Sequence, residues 1–317
     1  MSVPRITVFV VGYNSEKWLE RCLSTLQTAS ASTLQLCFVD NHNNPTLDSR
    51  NVSKFDVEIV KTPRPMGFAD ANNFGIGQTR FESDLTVFLN QDTISSDGWI
   101  DACADCFASD SSLGILSPGL RTYDMDDWEP NLLTCLADSG KSTVSEASEA
   151  GVVAVRQVTA AAMIVRTEIL DQLGPFDPIF GSYYEDYDLC RRIRNAGHTI
   201  GVCLGARVGH FSGSVTSTPE QSRRRMRSLI RNRLIHKVRE SGDRRLRVLA
   251  VHFAMTLPKN LIRGLLRTKS SQPLITTVAA HWDLLKIARR LVSKRRDESD
   301  WRQFLQDCGT TTESRSS

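Results

Sequence analysis

No run of about 18 or more apolar residues, the length a helix needs to cross a bilayer, occurs in this 317-residue chain. The longest candidate, Val248 to Leu266, is broken by His252, Pro258, Lys259 and Arg263. A basic segment leading into an apolar targeting core is also missing, because the first residues enter a strand-like run directly. Cysteine spacing offers no zinc framework. Of eight cysteines only Cys103 and Cys106 lie close together, and no second pair completes a site. Scattered thiols without a targeting signal fit reduced cysteines in a cytoplasmic protein. Internal repeats are absent, and no recognised nucleic-acid module or stacking aromatics accompany the basic segments, so nucleic acid is not an expected partner.

Charge is abundant but unevenly spread. Residues 1–218 hold 16 Lys and Arg against 27 Asp and Glu, a net of −11, whereas residues 219–317 hold 23 against 9, a net of +14. This division predicts a functional boundary near Thr216–Glu220, between a domain over 1–218 and a basic helical region over 219–317, with a polar, disordered tail at 309–317.

Apolar runs at Ile6–Val11 and Leu85–Leu89 read as strands buried on both faces, with further strands at Leu34–Val39 and Val57–Val60. Helical spacing follows the first, at Trp18, Leu19, Cys22, Leu23 and Leu26, with Ser15 as a candidate cap. Another helix is expected around Ala69–Thr79. Strands alternating with helices predict an α/β fold with a doubly wound, mostly parallel sheet. Residues 119–156, rich in Asp, Ser and Glu, read as a surface excursion. A strand at Thr159–Val165, a helix at Thr167–Leu173 and a helix opened by Tyr183–Asp188 and stopped by Gly197 complete this part.

Ligands of such sheets bind at the carboxyl ends of the strands, where Asp40 and Asp92 fall. Asp92 follows a buried strand in Asn90-Gln91-Asp92. A carboxylate there suits Mg²⁺ held jointly with phosphate oxygens, and it equally suits capping of a turn. Glu185, Asp186 and Asp188 crowd three carboxylates at a helix start. The helix dipole favours acids there, and a general base raised by burial and like charge fits as well. His210, after a strand and beside Gly209 and Ser212, suits either a structural role or contact to metal or phosphate.

Several segments occur in a telling order: Gly12-Tyr13-Asn14, Asp40-Asn41, Met66 to Gly75, Leu89-Asn90-Gln91-Asp92-Thr93, Gly174-Pro175-Phe176-Asp177, Tyr184 to Arg192, and His210. This ordered set, over about residues 5–215, resembles the family-2 glycosyltransferases of GT-A fold, and within them the rhamnosyltransferase-like bacterial group. The resemblance implies that Val11, Tyr13, Asn14, Asp40, Asn41, Gly67, Phe68, Asn72, Asn73, Asn90 and Gln91 bind the nucleotide-sugar donor. It implies that Asp92 and His210 contact a divalent metal, Mg²⁺ or Mn²⁺, although Asn90 stands where the family's Asp-x-Asp motif has its first carboxylate. By the same resemblance Asp186 is the catalytic base, with Glu185 the substitute. The implied reaction is inverting transfer of a sugar, L-rhamnose from dTDP-rhamnose first and a UDP-sugar next, in cell-envelope polysaccharide synthesis. The implied acceptor is a hydroxyl of a glycan or polyprenyl-diphosphate-linked saccharide. A nucleotidyltransferase or an inactive sugar-nucleotide- or lipid-binding protein are the alternatives.

Residues 223–247 carry eleven Lys and Arg against Glu240 and Asp243. Met226, Leu229, Ile230, Leu234 and Val238 recur at helical spacing, and Leu261, Ile262, Leu265 and Leu266 interleave with further cations. Two accounts fit this pattern. Either the helix packs its stripe on the protein, or the region docks on an anionic membrane surface, which would make the protein peripheral on the inner face of the cytoplasmic membrane. Oligomeric state has no signature in the sequence.

Overall fold

The computed structural model describes residues 3–140, 151–212, 218–259, 261 and 272–292. These divide into two compact units. The first comprises the described residues of 3–181 and 185–212, and the second those of 182–184 and 218–292.

The first unit is built on one sheet. Its strands are β1 (Ile6–Tyr13), β2 (Leu34–His42), β3 (Phe55–Lys61), β4 (Leu85–Asn90), β5 (Thr93–Ser95), β6 (Leu113–Thr122), β7 (Val152–Ala154), β8 (Ala162–Arg166) and β9 (Thr199–His210). They run in the order β3-β2-β1-β4-β8-β6-β9-β5, with β7 paired to β9. The first four are parallel, as are β6 and β9, while β8 runs antiparallel to both of its neighbours. The helices are α1 (Leu19–Leu26), α2 (Phe68–Gln78), α3 (Trp99–Ser109), α4 (Pro130–Ala137), α5 (Thr167–Leu173) and α6 (Glu185–Asn195).

The continuous apolar runs explain the sheet's interior. Val8, Val10, Leu36, Val39, Val87 and Phe88 are buried with their neighbours in one core, as strands covered on both faces must be. The helix α1 buries Leu19, Cys22, Leu23 and Leu26, the face its spacing predicts. Two expectations are corrected. Ser15 does not cap α1, because a turn over residues 15–18 intervenes. There the Ser15 carbonyl, not its hydroxyl, accepts from Trp18 and Leu19, and Trp18 is the cap residue. Residues 119–156 are not simply a surface excursion. Their first part extends β6 to Thr122, and α4 and β7 follow, with Leu132, Cys135, Leu136 and Val153 buried. Polar composition hid α4 and β7, which are buried only in part.

The second unit is helical: α7 (Pro219–Glu240), α8 (Arg245–Val251) continued by a π-helical turn over His252–Thr256, and α9 (Gln272–Val292). Thr218 and Gln221 form a reciprocal capping box and Pro219 takes the first helical position, a strong start signal. Arg227 pairs with Asp283 through two bonds of 2.6 and 2.7 Å, tying α7 to α9. The buried face of α7 runs through Asn232, Leu234, Ile235 and Val238, and Met226 lies off it, exposed. The expected stripe is thus buried only in the second half of the helix. Ile262, Leu265, Leu266 and the tail 309–317 lie outside the described residues. Among the described residues no helix is long and apolar enough to cross a membrane.

Candidate active site

The carboxyl ends of β1, β2 and β4 bring the donor-side segments together. Tyr13 is clamped by Gln91, whose Oε1 accepts from the Tyr13 N–H at 2.7 Å and whose Nε2 donates to the Tyr13 carbonyl at 2.9 Å. Beyond it Asn14 takes a left-handed φ of 50° and donates its N–H to the His42 carbonyl. Asp40 receives the amide of Asn44 at 2.6 Å, and the same amide donates to the Gly12 carbonyl. Val11 is half-buried in β1 beside Asn90, its partner in register.

Three asparagines assigned to the donor turn out to hold the backbone. Asn41 is buried, donates to the Met66 carbonyl at 3.0 Å and accepts from the Met66 N–H at 2.9 Å. Asn73 makes the same pair of bonds with Phe176, at 2.7 and 3.1 Å. Asn72 donates to the Phe68 carbonyl at 2.9 Å. Asn41 thereby fixes the loop that enters α2, Asn73 ties α2 to the turn at Phe176, and Asn72 bonds within α2. The Ala69 N–H also donates to the Gly181 carbonyl at 2.8 Å. A Cβ on Gly67 would approach that same carbonyl oxygen to 2.6 Å, so the close approach requires glycine. The start of α2 is in this way stapled to the turn that precedes α6.

At the start of α6, Glu185 is buried with its Oε2 lacking any hydrogen-bond partner. Burial, then the charge of Asp186 and that of Asp70, push its carboxyl well above the usual range. Asp186 differs. Its Oδ2 accepts from the Ala160 N–H at 3.1 Å and its Oδ1 from the Tyr187 N–H at 2.8 Å. Burial raises its carboxyl from 3.8 to about 6, against those backbone bonds. Burial and the neighbouring charge thus favour the protonated form of Glu185, whereas Asp186 is held by two backbone N–H groups that favour its charged form, so Asp186 is the better candidate to accept a proton. The Asn90 N–H bonds the Ala161 carbonyl at 2.9 Å. The residue holding Asp186 is therefore the immediate neighbour of the one that pairs with the end of β4. Asp188, by contrast, is fully buried and spent on Arg191 and Arg192.

The last corner was only partly visible in the sequence. His210 lies 3.6 Å from Asp92 through Nε2, 3.3 Å from the Asn90 amide, and 2.9 Å from Glu129 through Nδ1. Glu129 is fully buried at the start of α4, and its Oε2 has no partner. Burial opposes the imidazolium, but the Glu129 hydrogen bond and the charges of Asp92 and Glu129 outweigh it and raise His210. Asp92 is raised chiefly by burial, with His210 pulling the other way. Pairing of Thr93 with His210, and of β6 with β9 just ahead of Glu129, assembles this corner. Sequence reasoning missed Glu129, because nothing local marks it off from Asp124, Asp126 and Asp127.

These groups suit a divalent cation shared with a diphosphate. A carboxylate and an imidazole face one another, and a second carboxylate fixes the far imidazole nitrogen, the usual support for a ligating histidine. Among the described residues no three His, Cys, Asp or Glu side chains form a closed cage. Two protein ligands leave positions for phosphate oxygens and water, as Mg²⁺ sites on nucleotides do.

Comparison with known proteins places these features in context. The sequence profile described as glycosyltransferase like family 2 matches residues 4–232. An N-acetylglucosaminyl-diphospho-decaprenol L-rhamnosyltransferase of Mycobacterium tuberculosis is 24% identical over 237 residues, covering 67% of this chain and 77% of the relative. Mannosyltransferase PcManGT from Pyrobaculum calidifontis, solved with GDP-Man and Mn²⁺, superposes with a TM-score of 0.55 at 15% identity, covering 97% of this chain and 86% of that one. TarS from S. aureus, solved with UDP-GlcNAc, gives 0.54 at 16% identity, covering 97% and 92%. The shared architecture is the GT-A fold.

Proposed function

Because this chain belongs to glycosyltransferase family 2, we propose that it moves a sugar from a nucleoside diphosphate to a hydroxyl of a lipid-linked saccharide. The observation that carries the proposal is the Asp186 carboxylate, poised near pH 6 and held by Ala160 beside the strand end that leads to Asp92. Asp186 takes the proton of the acceptor hydroxyl as that oxygen attacks the anomeric carbon and the diphosphate departs, an inverting displacement. Burial of Glu185 beside it disfavours a second negative charge near the incoming oxygen. Asp40 binds the base or ribose, and Gly67 to Asn73 wall the sugar pocket. Asp92 and His210, the latter oriented by Glu129, would hold Mg²⁺ or Mn²⁺, which when bound neutralises charge on the leaving diphosphate.

L-rhamnose from dTDP-rhamnose is the first donor candidate and a UDP-sugar the second. The Mycobacterium relative supports both the rhamnosyl donor and a lipid-diphosphate acceptor by its name. The second unit suits such an acceptor. On α9, Thr276, Ala280 and Leu284 are buried, whereas Ile275, Val278, Trp282 and Leu285 share the opposite face and are 54–61% exposed. A helix apolar on both faces, with a tryptophan and a basic surround, is built to lie in an anionic interface. We assign it to the inner surface of the cytoplasmic membrane.

A nucleotidyltransferase would release pyrophosphate, and an inactive binding protein would release nothing. The test is thermal stabilisation of the purified protein by dTDP, UDP and GDP, each with and without Mn²⁺ or Mg²⁺. At about 100 times its dissociation constant a ligand stabilises by about 2.7 kcal/mol. A metal-dependent shift with one nucleotide is expected, and no shift with any of them would overturn the proposal.

A further inference from the structure

Cys103 and Cys106, the one close pair in the sequence, gain a third thiol in the fold. Both sit on α3, and Cys203 comes to them from β9, with the Cys106 Sγ donating to the Cys203 Sγ at 3.9 Å. A break in strand pairing makes this possible. Pro118 of β6 pairs with Cys203, yet the next residue, Gly119, pairs with Arg207. Leu204, Gly205 and Ala206 therefore have no counterpart on β6. Proline has no N–H to give the ladder, and a bulge of this kind frees backbone donors for other uses. Here the N–H groups of Ala206 and Gly205 turn to the Cys203 sulfur.

The Cys106 thiol thus donates to this sulfur, and the Cys103 thiol and the Ala206 and Gly205 amides favour its charged form. The Cys103 hydrogen bond first, and then the Ala206, Cys106 and Gly205 donors, outweigh burial and bring the Cys203 thiol down to about 6. Its neighbours move the other way, Cys106 to about 11, chiefly by burial. Cys203 itself is buried, at 6% exposure, and an oxidant reaches it past half-buried Cys106 and exposed Gly205. Nothing in the proposed transfer reaction uses these thiols.

We propose that Cys203 is a site of oxidation by hydroperoxides and that Cys106 resolves it, giving an intramolecular disulfide between α3 and β9. The Cys203 thiolate attacks the peroxide O–O bond, an S–O bond forms, and the departing alkoxide or hydroxide takes a proton. The Cys106 sulfur then attacks the sulfenic sulfur, the S–S bond forms, and the S–O oxygen leaves as water. Two thiols and one hydroperoxide give one disulfide, one alcohol or water, and one further water. The sulfurs must close from 3.9 Å to about 2.05 Å, a shift the bulge can absorb because residues 204–206 are unpaired on β6. The same strand ends at His210, so the crosslink fixes the strand carrying one of the candidate site groups.

The full-length protein treated with equimolar hydrogen peroxide at pH 7, blocked with N-ethylmaleimide and mapped by peptide mass spectrometry decides this. The expected product is a linked Cys106–Cys203 peptide pair, undone by dithiothreitol, absent from Cys106→Ser and Cys203→Ser and present in Cys135→Ser. Alkylation of the unoxidised protein should label Cys203 at least about tenfold faster than buried Cys22. Crosslinks that join other cysteines, sulfinic acid on Cys203 without a crosslink, or equal labelling of Cys203 and Cys22 would each overturn it. The wild-type map alone suffices should a variant fail to fold.

Discussion

Replacing Asp186 by Asn separates the chemistry of this site from its stability. The substitution keeps shape and one acceptor oxygen but removes the base, so turnover should fall about 10²–10⁴-fold, equivalent to about 3–5 kcal/mol in the barrier. Stability should move the other way. Raising the carboxyl from 3.8 to about 6 means that ionising it in the folded protein costs up to about 3 kcal/mol at neutral pH. Asn accepts only one of the two backbone N–H bonds now made to Ala160 and Tyr187 and turns its own NH2 on the other, a loss of about 1–3 kcal/mol. The net gain at pH 8 is up to about 2 kcal/mol. Its sign follows from linkage: below 3.8 the folded and unfolded chains are both protonated and nothing is gained. As pH rises from 3.8 to about 6 the unfolded chain releases its proton first, so the wild type loses stability over that window and the variant does not. Paired melting curves at pH 4 and pH 8, with steady-state turnover at pH 8, test both halves. Wild-type turnover in the variant, or a variant less stable than wild type at pH 8, would refute the reasoning.

Further outcomes follow from other contacts. In the wild type, kcat/KM should rise with pH through about 6 as Asp186 ionises; a profile flat between pH 5 and 7 would remove Asp186 from the role. Glu129→Gln should weaken Mn²⁺ binding in the presence of nucleotide about 10–100-fold, read by calorimetric titration, while metal-free nucleotide binding is kept. Asn73→Ala leaves the buried N–H and C=O of Phe176 without their partner and should cost about 2–4 kcal/mol, seen as a lowered denaturation midpoint. Gly67→Ala forces a Cβ against the Gly181 carbonyl and should weaken donor binding in equilibrium titrations, whereas Gly205→Ala, which meets nothing within 4 Å, should not.

The parallel half of the sheet was legible because strands buried on both faces leave uninterrupted apolar runs. Ile6–Tyr13, Leu34–His42 and Leu85–Asn90 are such strands. The segment β6 was not, because Gly114, Pro118 and Gly119 interrupt its apolar run although it is buried on both faces through Leu120, and α4 was not, since it buries one face only. Candidate site residues split along a similar line. Asp92, Asp186 and His210 stand at element ends where a functional group is expected, and the fold gives each a distinct neighbour. Asn41 and Asn73 looked equally eligible, but an amide's partners are set by tertiary contact, and theirs are backbone atoms 25 and 103 residues away. Glu129 illustrates the converse. It is one acid among several in a polar stretch, and only the pairing of β6 with β9 brings it to a histidine 81 residues distant. The bulge at Cys203 was invisible for the same reason, because it is a register break against another strand, between Pro118 and Gly119.

The central claim is sugar transfer at the Asp186 site, and the most direct measurement is mass spectrometry of reactions holding the full-length protein and a polyprenyl-diphosphate-linked saccharide. Each reaction contains dTDP-rhamnose or a UDP-sugar, with Mg²⁺ or Mn²⁺. The account predicts an acceptor heavier by one sugar residue, stoichiometric release of nucleoside diphosphate, and loss of both products in Asp186→Asn. Release of pyrophosphate from a nucleoside triphosphate, or nucleotide binding with no transfer to any acceptor offered, would contradict it.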